Sequence, residues 1–457
     1  MSKSLPVPFP RTRLRVSGRP TPLEDFYSDH SRVTFCSSFR HMVQKAQVFP
    51  LETNTSVRSR LTHTLEVADI GRTLSRRIGR KLVEDERLEE SDALCLEVIV
   101  GNACLLHDIG NPPFGHFGET AIRDWFNNEI ERKNLPLTQA VTHDLRHFDG
   151  NPQGLRVALT LHNENNDTYG LNLTAATILA SVKYPMRRGA KAGAVEDGRK
   201  LGVFSTEEDR WLAACDLAEH DASKRYWLAY VMEAADDICY CTSDISDAID
   251  KGIVSLFDLK EFLGSAPGCH EVVEQITSLS NDSNFGMKVA VPLSQRAISE
   301  VASKFTENVD GFVDSGSDAS LLKSTSVGCV YDSLRDFAKA RIYCNQDVQK
   351  VEIAGYHIIH GLLERMSCLA DLSQSEFSNF MAGGSGRPKG RHDLHWRVFC
   401  QCGERVKKGY RYALESNEGM SAEEELLLRY RLIVDFVSAL TDRYALTLHQ
   451  TFTGSSL

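Results

Sequence analysis

The chain opens with about thirty residues rich in Pro and Arg and poor in apolar periodicity, which predicts an extended basic arm over residues 1–32. From Val33 onward the pattern turns helical. Leu61, Leu65 and Ala68, with Val67, Ile70, Leu74 and Ile78, recur at three- and four-residue steps and predict an amphipathic helix over residues 61–82. Asp92 then reads as the N-cap of a mostly apolar helix running through Leu106, ended by Gly110 and Pro112–Pro113. A helix apolar on nearly every side is buried. A third helix, about 224–249, keeps Tyr226, Tyr230, Ala234 and Ile238 near one side and acids on another. Breaks fall at 186–206, 313–318 and 382–391, the last a flexible basic loop by composition. There is no internal repeat and few runs alternate, so the expected class is all-α. The expected division is the arm 1–32, a helical core 33–345 and a C-terminal helical lobe 346–457 that carries the loop 382–391.

Composition narrows the function classes. The chain has 457 residues, 42% apolar and 25% charged, which excludes disorder as its main state. The richest apolar stretch, Leu94 to Leu106, is too short for a bilayer and is interrupted by Glu97 and Asn102, so no membrane association is expected. The N-terminus lacks the apolar stretch of a signal peptide. Twelve cysteines form no CxxC pair, and the closest spacings, Cys239–Cys241 and Cys400–Cys402, fit neither a zinc ribbon nor a disulfide framework. Reduced thiols in a cytoplasmic chain are expected. The net charge of −10 argues against a dedicated nucleic-acid coat but leaves local basic surfaces at 1–20, 181–202 and 387–391.

The candidate chemistry centres on His-Asp, which occurs at 107–108, 143–144, 220–221 and 392–393. Only His107–Asp108 closes a buried apolar helix, where an unpaired carboxylate is costly unless neutralised or bound to a cation. The other three lie in polar surroundings and read as ordinary surface. His63, on the first amphipathic helix, reads alone as a core or surface histidine. Asp236, Tyr240 and Asp244 share one side of the third helix, and Asp237 faces elsewhere. Two imidazoles with two carboxylates would make a mixed N/O site for one divalent cation. Imidazole favours Mn²⁺, Fe²⁺ or Co²⁺, whereas Mg²⁺ prefers oxygen ligands. After the turn 110–115, His116 and Glu119 fall three apart on a new helical start. Such a pair suits water activation or proton delivery, because the acid fixes the tautomer.

Several blocks raise the specificity further. They are Gln47–Pro50, Ser56–His63, His107–His116, Phe148–Gln153, Lys183–Pro185 and Glu233–Tyr240. In this order they resemble the HD-domain superfamily of metal-dependent phosphohydrolases, and more closely the bacterial deoxyguanosine triphosphate triphosphohydrolase (dGTPase) family, from about Ser38 to Glu364. The resemblance implies an HD-type catalytic core. It makes His63, His107, Asp108 and Asp236 the metal ligands and His116 with Glu119 the catalytic pair. It places Tyr240 and Asp244 at the deoxyribose, Gln47 and Asp244 at its 3′-hydroxyl, and Arg60 and Lys183 on the triphosphate. Arg341 and Tyr343 lie in a stretch that in relatives approaches the nucleotide. The chain departs from the family pattern at 39–44, where a second basic-Leu pairing is expected.

The implied reaction is hydrolysis of dGTP, or of other dNTPs, to the deoxynucleoside and inorganic triphosphate. A tyrosine ring beneath the sugar would leave no room for a 2′-hydroxyl. The resemblance also implies a homo-oligomer, a hexamer in some relatives, and control by single-stranded DNA or by a dNTP effector. Two other readings stand beside it. One is a different HD-domain nucleotidase or phosphodiesterase, releasing orthophosphate or opening a cyclic phosphate. The other is a dNTP-sensing, nucleic-acid-binding regulator, which would have no need of a proton-transfer pair.

Overall fold

The computed structural model describes residues 5, 7–135, 140–162, 168–185, 200–279, 285–315, 320–383, 392–417 and 419–455. Among them the chain is helical, and extended pairing is confined to two isolated bridges, Arg13 with Thr174 and Ala46 with Ser59. The all-α expectation therefore holds. Among the described residues no helix is long and apolar enough to cross a membrane. Most of the basic segment 181–202, the loop 384–391 and residues 316–318 of the second break lie outside the described residues.

Two compact units emerge. One comprises residues 1–108, 173–187 and 212–351, and the other 109–172, 188–211 and 352–457. The chain leaves the first unit at Asp108 and re-enters it at Leu173 and again at Leu212.

In the first unit, helix Arg60–Glu84 packs along Glu90–Leu106 and against Trp227–Asp250. Ser59 caps the first of these through a reciprocal pair with Thr62. Its buried stripe runs through His63, Thr64, Val67, Ala68, Gly71, Leu74, Ser75 and Ile78. Leu65, expected in that stripe, falls on the other side of the helix and is 49% exposed. Gly71 sits in close packing, since a Cβ there would lie 2.6 Å from Cys104 Sγ, which would have to shift. The apolar helix begins at Glu90, with Glu89 at the N-cap position but making no side-chain capping bond, and not after Asp92. Asp92 sits instead in the first turn, where a carboxylate favours the exposed N–H groups.

The N-terminal arm is only partly extended. Helix Pro22–Thr34 begins inside it, because Thr21 and Glu24 form a reciprocal cap and Pro22 takes the first helical position. Arg13 is buried rather than presented to solvent, with Nη1 2.5 Å from Asp29 Oδ1. Asp29 also accepts from the backbone and hydroxyl of Thr174, which ties the arm to the 173–187 segment.

The second unit is built on a core that includes Phe114, Trp125, Phe126, Ile359, Leu362, Tyr430 and Ile433. Helices Gly115–Lys133 and Ala422–Ala439 both pack on Ala140–Arg146. Burial here overturns one expectation. Asp144 is buried, not on the surface, and its Oδ2 accepts from Ser205 N and Oγ at 2.8 and 2.6 Å.

Candidate metal and nucleotide site

Three helices of the first unit converge their polar residues. Helix Arg60–Glu84 supplies His63 from its first turn, and Trp227–Asp250 supplies Asp236. His107 and Asp108 follow the C-terminal end of Glu90–Leu106. Donor atoms of His63, His107 and Asp108 lie within 4.8 Å of one another. Asp236 Oδ1 is 3.3 Å from His63 Nε2 and 3.5 Å from His107 Nε2, and Asp108 Oδ2 is 3.6 Å from His107 Nε2. Ligands held about 2.1 Å from a common ion are separated by distances of this order.

The ring nitrogens favour an ion over a hydrogen-bond network. His107 Nδ1 is 2.7 Å from the Cys104 carbonyl oxygen, which can only accept, so Nδ1 carries the proton and Nε2 is a bare lone pair. His63 Nδ1 lies 3.7 Å from Cys239 Sγ, and that thiol donates to Glu66 Oε2 at 3.8 Å. Both Nε2 atoms are buried without a well-formed hydrogen bond, although Asp236 Oδ1 is near. Two lone pairs facing a carboxylate oxygen repel one another unless a cation sits between them. The cluster thus fits a divalent metal ion with N and O donors.

Cations flank the acids. Arg60 Nη1 is 2.6 Å from Asp108 Oδ2, and Lys183 Nζ is 2.7 Å from Asp236 Oδ2. Burial alone would push both carboxyls up. For Asp236, Lys183 is the foremost opposing cause, and the group is held well below the usual carboxylate range. Asp108 is likewise lowered, with the Arg60 guanidinium beside it. Both acids are therefore available as anionic ligands.

Farther along Trp227–Asp250, Tyr240 and Asp244 face residues of the 328–343 segment. The Tyr240 hydroxyl accepts from Arg335 Nε at 2.8 Å, and the Tyr343 hydroxyl donates to Asp244 Oδ2 at 2.6 Å. Burial pushes Asp244 up to about 6 against the Tyr343 bond. Asp244 Oδ1 and Gln47 Oε1 are buried with no hydrogen-bond partner among the described residues, two acceptors left for a ligand. Asp237 turns away to Ser320, at 3.2 Å. Arg341 is exposed.

His116 and Glu119 belong to the second unit. His116 Nδ1 is 3.0 Å from Glu119 Oε2, and the imidazole is 83% exposed, which leaves Nε2 open. Glu119 is buried and accepts from Gly150 N at 2.9 Å. Burial pushes its carboxyl up, but His116, Gly150 and Arg123 bring it below its ordinary value. The block Phe148–Gln153 thereby gains a physical role. Asp149 caps helix Gly150–Arg156, and Gly150 admits Asn111, whose Oδ1 would lie 1.9 Å from any Cβ there.

Sequence reasoning missed Arg335, Arg58 and Cys239. Arg58 donates to Asp247 from its backbone and side chain and to Glu66 at 2.7 Å, bracing the turn before His63. Arg58 and Cys239 both lie inside quoted blocks, but nothing in a single sequence names their partners.

Residues 60–182 match the HD domain family. The chain is 34% identical to a deoxyguanosinetriphosphate triphosphohydrolase of Salmonella paratyphi A, over 93% of this chain and 92% of that protein. Proteins of the same name from Serratia proteamaculans and Yersinia enterocolitica are 31% and 30% identical, covering 93% and 94% of this chain and 92% and 95% of theirs.

Proposed function

The chain belongs to the deoxyguanosinetriphosphate triphosphohydrolase family, and on that footing we propose that it cleaves dGTP, with or without other dNTPs, to the deoxynucleoside and inorganic triphosphate. The observation that carries this reading is the pair of bare Nε2 atoms, on His63 and His107, facing Asp236 Oδ1 with Asp108 alongside. When bound there, a divalent ion such as Mn²⁺ or Mg²⁺ supplies Lewis acidity toward a phosphate oxygen.

The chain's own residues do the rest. His63, His107, Asp108 and Asp236 hold the ion. Arg60 and Lys183 place positive charge at the site and bind the triphosphate, by a forked guanidinium and a point charge respectively. Water adds to the α-phosphorus, the bond from that phosphorus to the 5′-oxygen breaks, and the 5′-oxygen leaves as a hydroxyl. His116 Nε2 moves the proton while Glu119 fixes Nδ1. Gln47 and Asp244 meet the 3′-hydroxyl, and the Tyr240 ring excludes a 2′-hydroxyl.

The same proposal includes a cytoplasmic location, a homo-oligomer, and control by single-stranded DNA or a second dNTP. Incubating the protein with each of the four dNTPs and with GTP, in Mn²⁺ or Mg²⁺, tests the reaction. Triphosphate release from dGTP and not from GTP is expected. Orthophosphate as the first product would replace this reading with that of another HD nucleotidase.

A further inference from the structure

The helix Gly115–Lys133, which carries His116 and Glu119, has no cap of its own. Its N-cap residue is Phe114, whose side chain cannot accept a hydrogen bond. Phe114 is also left-handed, with φ 60° and ψ 20°, and Gly115 follows at φ 58°. A phenylalanine holds that conformation only where its surroundings enforce it.

Two contacts within the second unit do so. The Phe114 backbone N–H donates to Asp442 Oδ1 at 3.0 Å, across 328 residues of sequence. Asp442 is 2% exposed and is the first residue of helix Asp442–Thr453. The Phe114 ring lies against Gly355, where a Cβ would meet ring and Cβ carbons at 2.5–2.7 Å. Gly118 completes the turn, because a Cβ there would lie 2.0 Å from the Pro113 carbonyl oxygen. An unheld Phe114 would relax toward a right-handed conformation and swing His116, two residues on.

We propose that Asp442 is a positioning residue for catalysis: acting through the Phe114 N–H, it sets the turn that aims His116. The inference rests on the reading of His116 as the proton-transfer group. It makes the C-terminal helix Asp442–Thr453 part of what the reaction requires.

The test uses the full chain with Asp442→Ala, Asp442→Asn, Gly355→Ala and His116→Ala. Steady-state kcat and KM for dGTP are measured together with Mn²⁺ affinity by electron paramagnetic resonance without turnover. Asp442→Ala should lower kcat roughly 10- to 100-fold, the scale of an ångström-sized misplacement, and leave KM and Mn²⁺ affinity within about twofold. Asp442→Asn keeps an acceptor oxygen and should recover most of kcat. Gly355→Ala displaces Phe114 from its other side and should repeat the kcat loss, which decides the matter should Asp442→Ala fail to fold. A folded Asp442→Ala or Gly355→Ala with wild-type kcat, beside an inactive His116→Ala, overturns this inference alone. An active His116→Ala brings down the catalytic reading and the inference with it.

Discussion

Cys104 and His107 are joined one turn apart by a 2.7 Å contact between the carbonyl oxygen and ring Nδ1. A carbonyl cannot donate, so this contact decides the tautomer and points a lone pair from Nε2 at Asp236. His107→Ala removes that lone pair. It should abolish tight Mn²⁺ binding and lower triphosphate release by roughly 10³-fold or more. Calorimetric titration with Mn²⁺ checks the first and product analysis the second. Unchanged Mn²⁺ affinity would show that the ion, if any, binds elsewhere.

His63 has a softer support than His107. Its Nδ1 rests on the Cys239 thiol, which leads to Glu66 and from there to Arg58. Outer partners of metal-binding histidines typically contribute 10- to 100-fold in affinity. Cys239→Ala should therefore weaken Mn²⁺ binding about tenfold, whereas Cys239→Ser, which keeps a donor and an acceptor, should lose less. The thermal shift produced by saturating Mn²⁺ reads the same difference without turnover. Equal affinity in all three proteins would remove Cys239 from this role.

Much of this arrangement was legible in the chain itself. Apolar steps of three and four from Leu61 to Ile78 mark helix Arg60–Glu84 closely, since burial of one face imposes that spacing. The oddity of His107–Asp108 after an apolar helix marks the place where His63, His107 and Asp108 gather, because an unpaired charge there is costly. The misses share a cause. Leu65 is apolar yet outward, and periodicity alone does not say where a stripe ends. Asp144 resembles any surface acid until Ser205 is brought to it by the fold. Arg335 meets Tyr240 across 95 residues, and Asp442 meets Phe114 across 328, distances at which a single sequence holds no pairing signal. The arm departs from an extended form for a local reason: Thr21 and Glu24 form a reciprocal cap around Pro22, a start signal that the Pro and Arg content masks.

Tyr240 separates two roles that one substitution would confuse. Its hydroxyl is held by Arg335 at 2.8 Å, and its ring is the surface proposed to exclude a 2′-hydroxyl. Tyr240→Ala opens that space and should raise the GTP-to-dGTP ratio of kcat/KM roughly tenfold or more. Tyr240→Phe loses the Arg335 bond and keeps the ring, so its sugar discrimination should stay near wild type. Competition assays with both nucleotides give the ratio directly. Equal discrimination in the Ala variant would move the sugar contact to another residue.

Asp144 should leave a signature in the pH dependence of stability. Burial pushes its carboxyl up to about 6, against the opposing pull of Ser205 and Arg431. The folded state therefore binds a proton that the unfolded chain releases near its ordinary value of 3.8. Its contribution to stability is fully present below that value and is lost as pH rises through about 6. The difference amounts to about 3 kcal/mol at neutral pH, on the order of two pH units of displacement. Asp144→Asn stays neutral throughout and keeps an oxygen for Ser205. Relative to wild type, it should gain stability steadily between pH 4 and 7, read from urea unfolding midpoints at matched ionic strength. A difference between the two proteins that stays flat across that interval would mean that Asp144 remains charged in the fold, stabilised by Arg431 more strongly than its burial opposes.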